Sequence, residues 1–134
     1  MKLALLHEAL GAEALNDPLQ LAAALKAYPL ELAAARIRAY HERQRPEDAS
    51  WTDASGATLG WRWTPVSAAG LYVPGGLASY PSSVLMNAIP AKVAGVDQVI
   101  ACLPPNAHQA MIAGCHLSGA DRIFRVGGAQ AIAR

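Results

Sequence analysis

The spacing of apolar residues changes twice along this chain, and each change predicts a different kind of structure. In the first third, apolar positions recur at helical spacing between polar ones. This pattern predicts helices over residues 3–10, 18–26 and 29–43. Pro46 follows the third helix and cannot continue it, because proline lacks the backbone N–H that a helix interior requires.

The middle of the chain reads as a β-hairpin. Two short stretches, over residues 51–53 and 58–63, flank the turn dipeptide Ser55-Gly56. Trp61 and Trp63 alternate on one face of the second predicted strand. We expect both rings to cover a hydrophobic core, and the alternative is that they stack on a ligand.

From Gly70 onward the pattern predicts the order β-α-β-α-β. A glycine pair follows the first strand, and Pro90 lies within the first helix, where it should kink the helix or split it. Ser82 or Ser83 is the expected cap of that helix. Strands are predicted over residues 71–73, 98–103 and 122–126, and helices over residues 82–94 and 107–117, with a further helix opening at Gly127-Gly128.

The strand over residues 98–103 is apolar on both faces, which is typical of a parallel sheet covered on both sides. The predicted class is therefore α/β, with a helical N-terminal segment and a β-hairpin followed by an incomplete Rossmann-like parallel sheet. We assign residues 1–69 to part of a first domain and residues 70–134 to an incomplete Rossmann-like half-domain of the kind that binds nucleotides. Because the last predicted helix has hardly begun at Arg134, we expect the chain to belong to something larger, with one face of the sheet left uncovered.

The composition argues against several classes of function. The net charge is +1 and charged residues make up only 16% of the 134 residues, without a basic stripe, so nucleic-acid binding has no electrostatic support. No stretch has the length and apolarity of a membrane span or a signal peptide, and we expect a cytoplasmic protein with no membrane partner. Cys102 and Cys115 are expected to be inert core residues.

Two glycine pairs are the candidate ligand-binding elements. Gly75-Gly76 and Gly127-Gly128 each follow a predicted strand and precede a helix, where backbone N–H groups can approach an anionic ligand closely. Tyr72 lies just before the first pair and Gln130 just after the second. If both turns lie at one sheet edge, these side chains face a common crevice. The alternative is a pair of tight turns with no ligand.

The four histidines do not predict a metal site. His7, His41, His108 and His116 lack metal-ligand spacing. His108 and His116 are expected on one helix, too far apart to share a metal ion.

Several longer segments are more specific than these spacings. GLYVPGG over residues 70–76, YPSSVLMNAIPAKVAGV over residues 80–96 and RVGGAQAIA over residues 125–133 closely resemble histidinol dehydrogenases. RIRAYHERQ, followed by a hairpin that ends in WTP, is similar to the same family. The resemblance extends over residues 30–134.

The resemblance implies an NAD-dependent, zinc-containing, dimeric enzyme of histidine biosynthesis. Such enzymes oxidise L-histidinol to L-histidine through the aldehyde in two hydride transfers. Tyr72 and Gln130 match the family's tyrosine and glutamine that contact NAD, supported by the turns at Gly75, Gly76, Gly127 and Gly128.

The family's other functional residues have no match in this chain. A third NAD contact in a GPGN-type segment, the zinc ligands and the Glu-His base are all missing. We therefore expect no catalytic residue and no metal ligand here, and an inactive chain when it is alone. The expected partner is a second copy or a missing C-terminal part, and the alternative function is a catalytically dead nucleotide-binding or interaction module.

Overall fold

The computed structural model describes residues 29–75 and 79–128. The helices predicted over residues 3–10 and 18–26, and the one expected after Gly128, lie outside these residues. The described elements are α1 (Leu30–Glu42), β1 (Ala49–Thr52), β2 (Thr58–Trp61), β3 (Ala68–Tyr72), α2 (Pro81–Val93), β4 (Gln98–Leu103), α3 (Gln109–Ser118) and β5 (Arg122–Arg125). The α/β class and the β-α-β-α-β order are confirmed.

Strands β3, β4 and β5 form a parallel sheet in that order. Helices α2 and α3 are the two crossovers, and both pack on the same face of the sheet. Their side chains share a core with alternate residues of the three strands. The fully buried side chains of this core include Val73, Val84, Val99, Leu103, Met111, Ile112, Cys115 and Ile123. Leu85 and Ile89 of α2 lie in a second cluster with Leu30 of α1 and Ala113 of α3.

The opposite face of the sheet is open in the described part of the chain. Ile100 and Cys102 of the central strand are only half-buried, and Phe124 beside them is exposed. The apolar pattern of β4 had indicated a sheet covered on both sides, and the described residues cover one. The reason is topological, because two right-handed crossovers that step in one direction place both helices on the same side.

The β-hairpin forms as predicted, with Trp51 opposite Leu59 in the register of β1 and β2. The carboxylate of Asp53 organises its turn, accepting hydrogen bonds from the N–H groups of Ser55 (2.8 Å) and Ala57 (3.0 Å). The Ser55 hydroxyl donates to the same oxygen. These hydrogen bonds, the Ser55 hydroxyl first, hold the pKa of Asp53 below its ordinary value.

The prediction that Trp61 and Trp63 cover a core is wrong. Trp61 is 54% exposed and Trp63 is 60% exposed. Strand β2 ends at Trp61, so the two residues do not share a strand face. Trp61 instead donates from its indole nitrogen to the Glu47 carbonyl (3.1 Å), and the Trp63 N–H donates to the Asp48 carboxylate (2.8 Å).

Helix α2 begins differently from the sequence prediction. Pro81 occupies its first turn and the preceding Tyr80 makes no side-chain cap, so neither Ser82 nor Ser83 caps the helix. A proline at this point suits a helix start because its fixed φ is already helical. Pro90 does not split α2, which continues to Val93.

The amino ends of the strands are joined by an ion pair between Lys92 of α2 and Asp121, directly before β5. The Lys92 ammonium group also donates to the carbonyl of Asp97 (2.9 Å), and the Asp121 carboxylate accepts from the N–H of Val99 (2.8 Å). Both side chains keep only about a fifth of their exposure, 19% for lysine and 18% for aspartate. The pair therefore fastens α2, β4 and β5 together at the edge opposite the glycine turns.

Candidate functional site

The turns that follow β3, β4 and β5 lie at one edge of the sheet, because the three strands are parallel. Tyr72, Cys102 and Phe124 form one cross-strand row close to that edge. The expectation that both glycine turns share a sheet edge is thereby confirmed. With a strand spacing of about 4.8 Å, the turns after β3 and β5 lie about 10 Å apart, on either side of β4.

Tyr72 is the last residue of β3 and its side chain is 51% exposed. Its neighbour Val73 is fully buried in the core beneath the helices. Since successive residues of a strand point to opposite faces, Tyr72 lies on the open face. A tyrosine in this position presents both a flat ring and a hydroxyl group to the space beside the sheet edge.

The two glycine turns differ in what surrounds them. A Cβ atom at Gly75 would lie 2.7 Å from the Cβ of Pro104, so this glycine is required by the close approach of two turns of the chain itself. A Cβ atom at Gly127 would meet nothing within 4 Å. Gly128 has φ +91°, a conformation that side chains rarely adopt. Within residues 29–75 and 79–128, the second turn is therefore the one with open space for a ligand.

The remaining predicted site residues, Gly76 and Gln130, lie outside the described residues. The structure thus brings Tyr72, Gly75, Gly127 and Gly128 to one edge, while the role of Gln130 stays a prediction.

Two features of the same edge were missed by sequence reasoning. His108 caps α3 through its Nδ1, which accepts from the N–H of Ala110 (3.1 Å), and it is not the helix residue that was expected. Arg125 ends β5 with its Nε buried and without a hydrogen-bond partner, while its Nη2 lies 3.5 Å from the Ala107 carbonyl. The extended segment before α3 could have indicated the cap made by His108. Nothing in the sequence indicated that the Arg125 Nε is buried.

The cysteines lie on opposite sides of the sheet. Cys115 of α3 is fully buried, and burial raises the pKa of its thiol to about 12, so it stays protonated and inert at neutral pH. Cys102 of β4 is half-buried on the open face, between Tyr72 and Phe124.

Other candidate sites in the described ranges are weak. No three histidine, cysteine, aspartate or glutamate side chains in residues 29–75 and 79–128 come together as metal ligands. None of the helices described is long and apolar enough to span a membrane. Two depressions of about 170 and 150 Å³ share Arg45, Pro46 and Ala94 at the far end of α2, away from the glycine turns, and both are smaller than ordinary cofactor pockets.

Comparison with known proteins decides the family. A sequence model of histidinol dehydrogenases matches residues 9–134, which is nearly the whole chain. This chain belongs to the histidinol dehydrogenase family. The resemblance inferred from the segments at residues 70–76, 80–96 and 125–133 is confirmed.

Individual relatives support the same family assignment. A histidinol dehydrogenase of Ruegeria pomeroyi is 67% identical over 107 residues, which are 78% of this chain and 25% of that protein. One from Parasynechococcus marenigrum is 53% identical over 124 residues, covering 85% of this chain and 28% of the relative. The crystal structure of histidinol dehydrogenase from Elizabethkingia anophelis superposes with a TM-score of 0.74 at 29% identity, over 87% of this chain and 29% of that one. The chain spans about a quarter of the length of the relatives it matches.

Proposed function

We propose that this chain supplies part of the NAD-binding platform of a cytoplasmic histidinol dehydrogenase. Such an enzyme oxidises L-histidinol to L-histidine through histidinal, in two hydride transfers to NAD. The observation that carries the proposal is the open edge of the sheet, where an exposed Tyr72 and an unobstructed Gly127 turn lie at the carboxyl ends of parallel strands. Ligands of open α/β sheets bind at such edges.

The described residues fit a dinucleotide in two respects. No atom of the described residues lies within 4 Å of a Cβ placed on Gly127, which leaves room for a phosphate to reach the backbone. The ring and hydroxyl of Tyr72 offer a surface for a flat ring and a hydrogen bond for a ribose. When bound, NAD supplies the hydride acceptor, and the role of these residues is to hold and orient it. Gln130, by its match to the family, is proposed as a further contact.

Zinc does not fit the described residues, since they bring no three candidate ligands together. We therefore derive no step through zinc for this chain. Oxidation of an alcohol also requires a base placed within hydrogen-bond reach of the substrate hydroxyl. We propose that the chain alone does not oxidise L-histidinol, and that the zinc ligands and the base belong to family sequence outside the region that this chain spans.

A second candidate function is a nucleotide-binding or interaction module without catalysis. The open sheet face and the exposed tryptophans of the hairpin favour it, because contiguous exposed apolar surface marks interaction sites. The two candidates differ in one respect: a dehydrogenase part gains activity when the remaining family sequence is supplied, whereas a stand-alone module does not.

NAD binding tests the platform. We expect isothermal titration to detect NAD binding to the chain, and Tyr72→Ala to weaken it at least tenfold. Tyr40→Ala is the matched control, because Tyr40 is also an exposed tyrosine (62%, against 51% for Tyr72) and lies on α1, away from the glycine turns. Tyr40→Ala should leave NAD affinity unchanged.

Gly127→Ala sharpens the same test. Because a Cβ atom at Gly127 meets nothing within 4 Å, this variant should fold normally, and any loss of NAD affinity reports a ligand that approaches the backbone. Wild-type NAD affinity in both Tyr72→Ala and Gly127→Ala would contradict the proposed platform. NADH formation from L-histidinol by the chain alone would contradict its proposed inactivity.

A further inference from the structure

Arg125 is an isolated charge at the edge that carries the glycine turns. The described segments at this edge are residues 71–75, 79–82, 103–109 and 124–128, and Arg125 is the only aspartate, glutamate, lysine or arginine among them. A cation without nearby acidic groups attracts an anionic ligand, and this is the edge where open α/β sheets bind ligands. The other charged residues that flank the strands lie at the opposite edge: Lys92, Asp97, Asp121 and Arg122.

The guanidinium group of Arg125 has few partners in the described part of the chain. Its Nε is buried and has no hydrogen-bond acceptor, and its Nη2 lies 3.5 Å from the Ala107 carbonyl oxygen. That separation exceeds the roughly 2.7–3.2 Å of an ordinary N–H···O hydrogen bond. Within residues 29–75 and 79–128, no carboxylate pairs with Arg125. Since a buried donor without an acceptor costs free energy, Arg125 holds hydrogen-bonding capacity that these residues do not use.

The two nitrogens concerned donate from the same edge of the planar guanidinium group. Arginine presents such a pair of parallel N–H groups to two oxygens of a phosphate or carboxylate. The Ala107 carbonyl is neutral and engages only one of the two donors. A phosphate group can accept from both and supplies the opposite charge, so exchanging the carbonyl for a phosphate improves both the hydrogen bonding and the charge balance.

Arg125 lies within reach of the turn that has open space. The register places it opposite Leu103, at the carboxyl end of the covered face. Gly127 follows two residues later, so the two Cα atoms are separated by about 7 Å at most. No atom of the described residues lies within 4 Å of a Cβ placed on Gly127. The guanidinium group and the Gly127 backbone can therefore contact the same phosphate group.

We propose that Arg125 binds the pyrophosphate of the dinucleotide. Its side chain leaves the Ala107 carbonyl and donates from Nε and Nη2 to phosphate oxygens beside Gly127. This inference rests on the proposed function, because it assigns a further residue to one part of the same ligand. The tasks at the edge are then divided: Tyr72 contacts a ring or a ribose, and Arg125 recognises the negative charge between the two nucleotide halves.

Isothermal titration of the whole chain with inorganic pyrophosphate and with NAD provides the test. We expect the wild-type chain to bind both, with a pyrophosphate affinity that falls as the salt concentration rises. Arg125→Gln should weaken both affinities by about tenfold or more, because it removes the charge and the paired donors. Arg122→Gln is the matched control, since it removes the same charge from the other end of the same strand and should change neither affinity.

Two further variants separate an anion contact from a general disturbance of the edge. Arg125→Lys keeps the charge but loses the paired N–H groups, so its pyrophosphate affinity should lie between those of the wild type and Arg125→Gln. Tyr72→Ala should weaken NAD binding and leave pyrophosphate affinity unchanged. A general disturbance would instead weaken both ligands in every variant of the edge.

Chemical modification of the wild-type chain tests the same contact without a substitution. Phenylglyoxal modifies arginine side chains, and peptide mass spectrometry measures the rate at each position. At a pyrophosphate concentration about ten times its Kd, modification of Arg125 should slow about tenfold, because the free chain is then a minor species. The rate at Arg122 should not change. This measurement keeps the proposal testable if Arg125→Gln does not fold.

Several results would overturn the proposal. One is a wild-type chain without measurable pyrophosphate affinity, and another is wild-type affinity for pyrophosphate in Arg125→Gln. Equal losses in Arg125→Gln and Arg122→Gln, or modification of Arg125 that pyrophosphate does not slow, would also contradict it. If Arg125→Gln binds both ligands normally while Tyr72→Ala loses NAD, this inference fails and the proposed function stands. If pyrophosphate binds through Arg125 but NAD does not bind, Arg125 remains a pyrophosphate-binding residue and the proposed function is contradicted instead.

Discussion

The two faces of the parallel sheet have similar sequences and opposite surroundings. On one face, Val99, Ala101 and Leu103 of β4 are fully buried beneath α2 and α3. On the other, Ile100 and Cys102 of the same strand are only half-buried. The comparison teaches that the apolar character of both faces of a strand records the burial that the complete fold requires, whereas topology decides which part of the chain provides it.

The sharpest way to break this comparison is to truncate neighbouring residues that point to opposite faces. Ile123 is 1% exposed and Phe124 is 37% exposed. We expect Ile123→Ala to lower the free energy of unfolding by about 2–5 kcal/mol, because it leaves a cavity in the core. Phe124→Ala should cost about 1 kcal/mol or less, the value of a cross-strand contact. Urea unfolding measures both losses. Equal losses of unfolding free energy would show that Phe124 is packed as closely as Ile123.

The ion pair at the opposite edge gives the next largest effect. Lys92→Met removes the ammonium group that pairs with the Asp121 carboxylate and keeps the hydrogen bond from the Val99 N–H. We expect a loss of about 1–3 kcal/mol, less than for a completely buried pair because both side chains keep some exposure. Asp97→Asn is the control, since Lys92 contacts only the backbone carbonyl of Asp97. An unchanged midpoint for Lys92→Met would mean that the pair does not fasten the strands.

Glycine substitutions compare a helix end beneath the covered face with the open face itself. Gly119 caps α3 with φ +79°, so Gly119→Ala should cost about 1 kcal/mol through backbone strain. Gly70 lies on the open face, where an added Cβ meets nothing within 4 Å. Gly70→Ala should therefore be neutral or stabilise by a few tenths of a kcal/mol. Destabilisation by Gly70→Ala would indicate that something already covers this face.

The smallest effect is a pH dependence in the hairpin. The native pKa of Asp53 is lowered from 3.8, so its contribution to the turn is fully present above that pH. It is lost as the pH falls through the lower native pKa, because protonation removes the carboxylate that accepts from Ser55 and Ala57. Tryptophan fluorescence of the hairpin should change in that acidic range in the wild-type chain. The same transition in Asp53→Asn would exclude this carboxylate as its cause.

The sequence predicted the elements of the sheet well, because their signals are local. The strand β4 is predicted by its run of apolar residues. The helix α3 is predicted by its apolar spacing and by Gly119 at its end. The sequence also predicted that the two glycine turns share one sheet edge, because parallel strands bring their carboxyl ends together. The division into domains at residues 69 and 70, and the role of Gln130, stay predictions.

The sequence-based predictions that were wrong concerned features that depend on contacts between distant residues. Apolar character could not reveal that Trp61 and Trp63 are exposed, because that depends on what packs against the hairpin. The cap made by His108 and the close approach of Gly75 to Pro104 likewise require the positions of neighbouring turns. Sequence favoured a serine cap for α2, but the proline at its start decided the boundary.

The most direct test of the central claim is the relative alkylation rate of Cys102 and Cys115 in the dilute, native chain. A sheet with one covered and one open face predicts that Cys102 reacts at least a hundredfold faster, and that Cys115 reacts only when urea unfolds the protein. Equal rates at the two cysteines, or protection of both in the dilute chain, would contradict the claim that the sheet has the open face seen in residues 29–75 and 79–128.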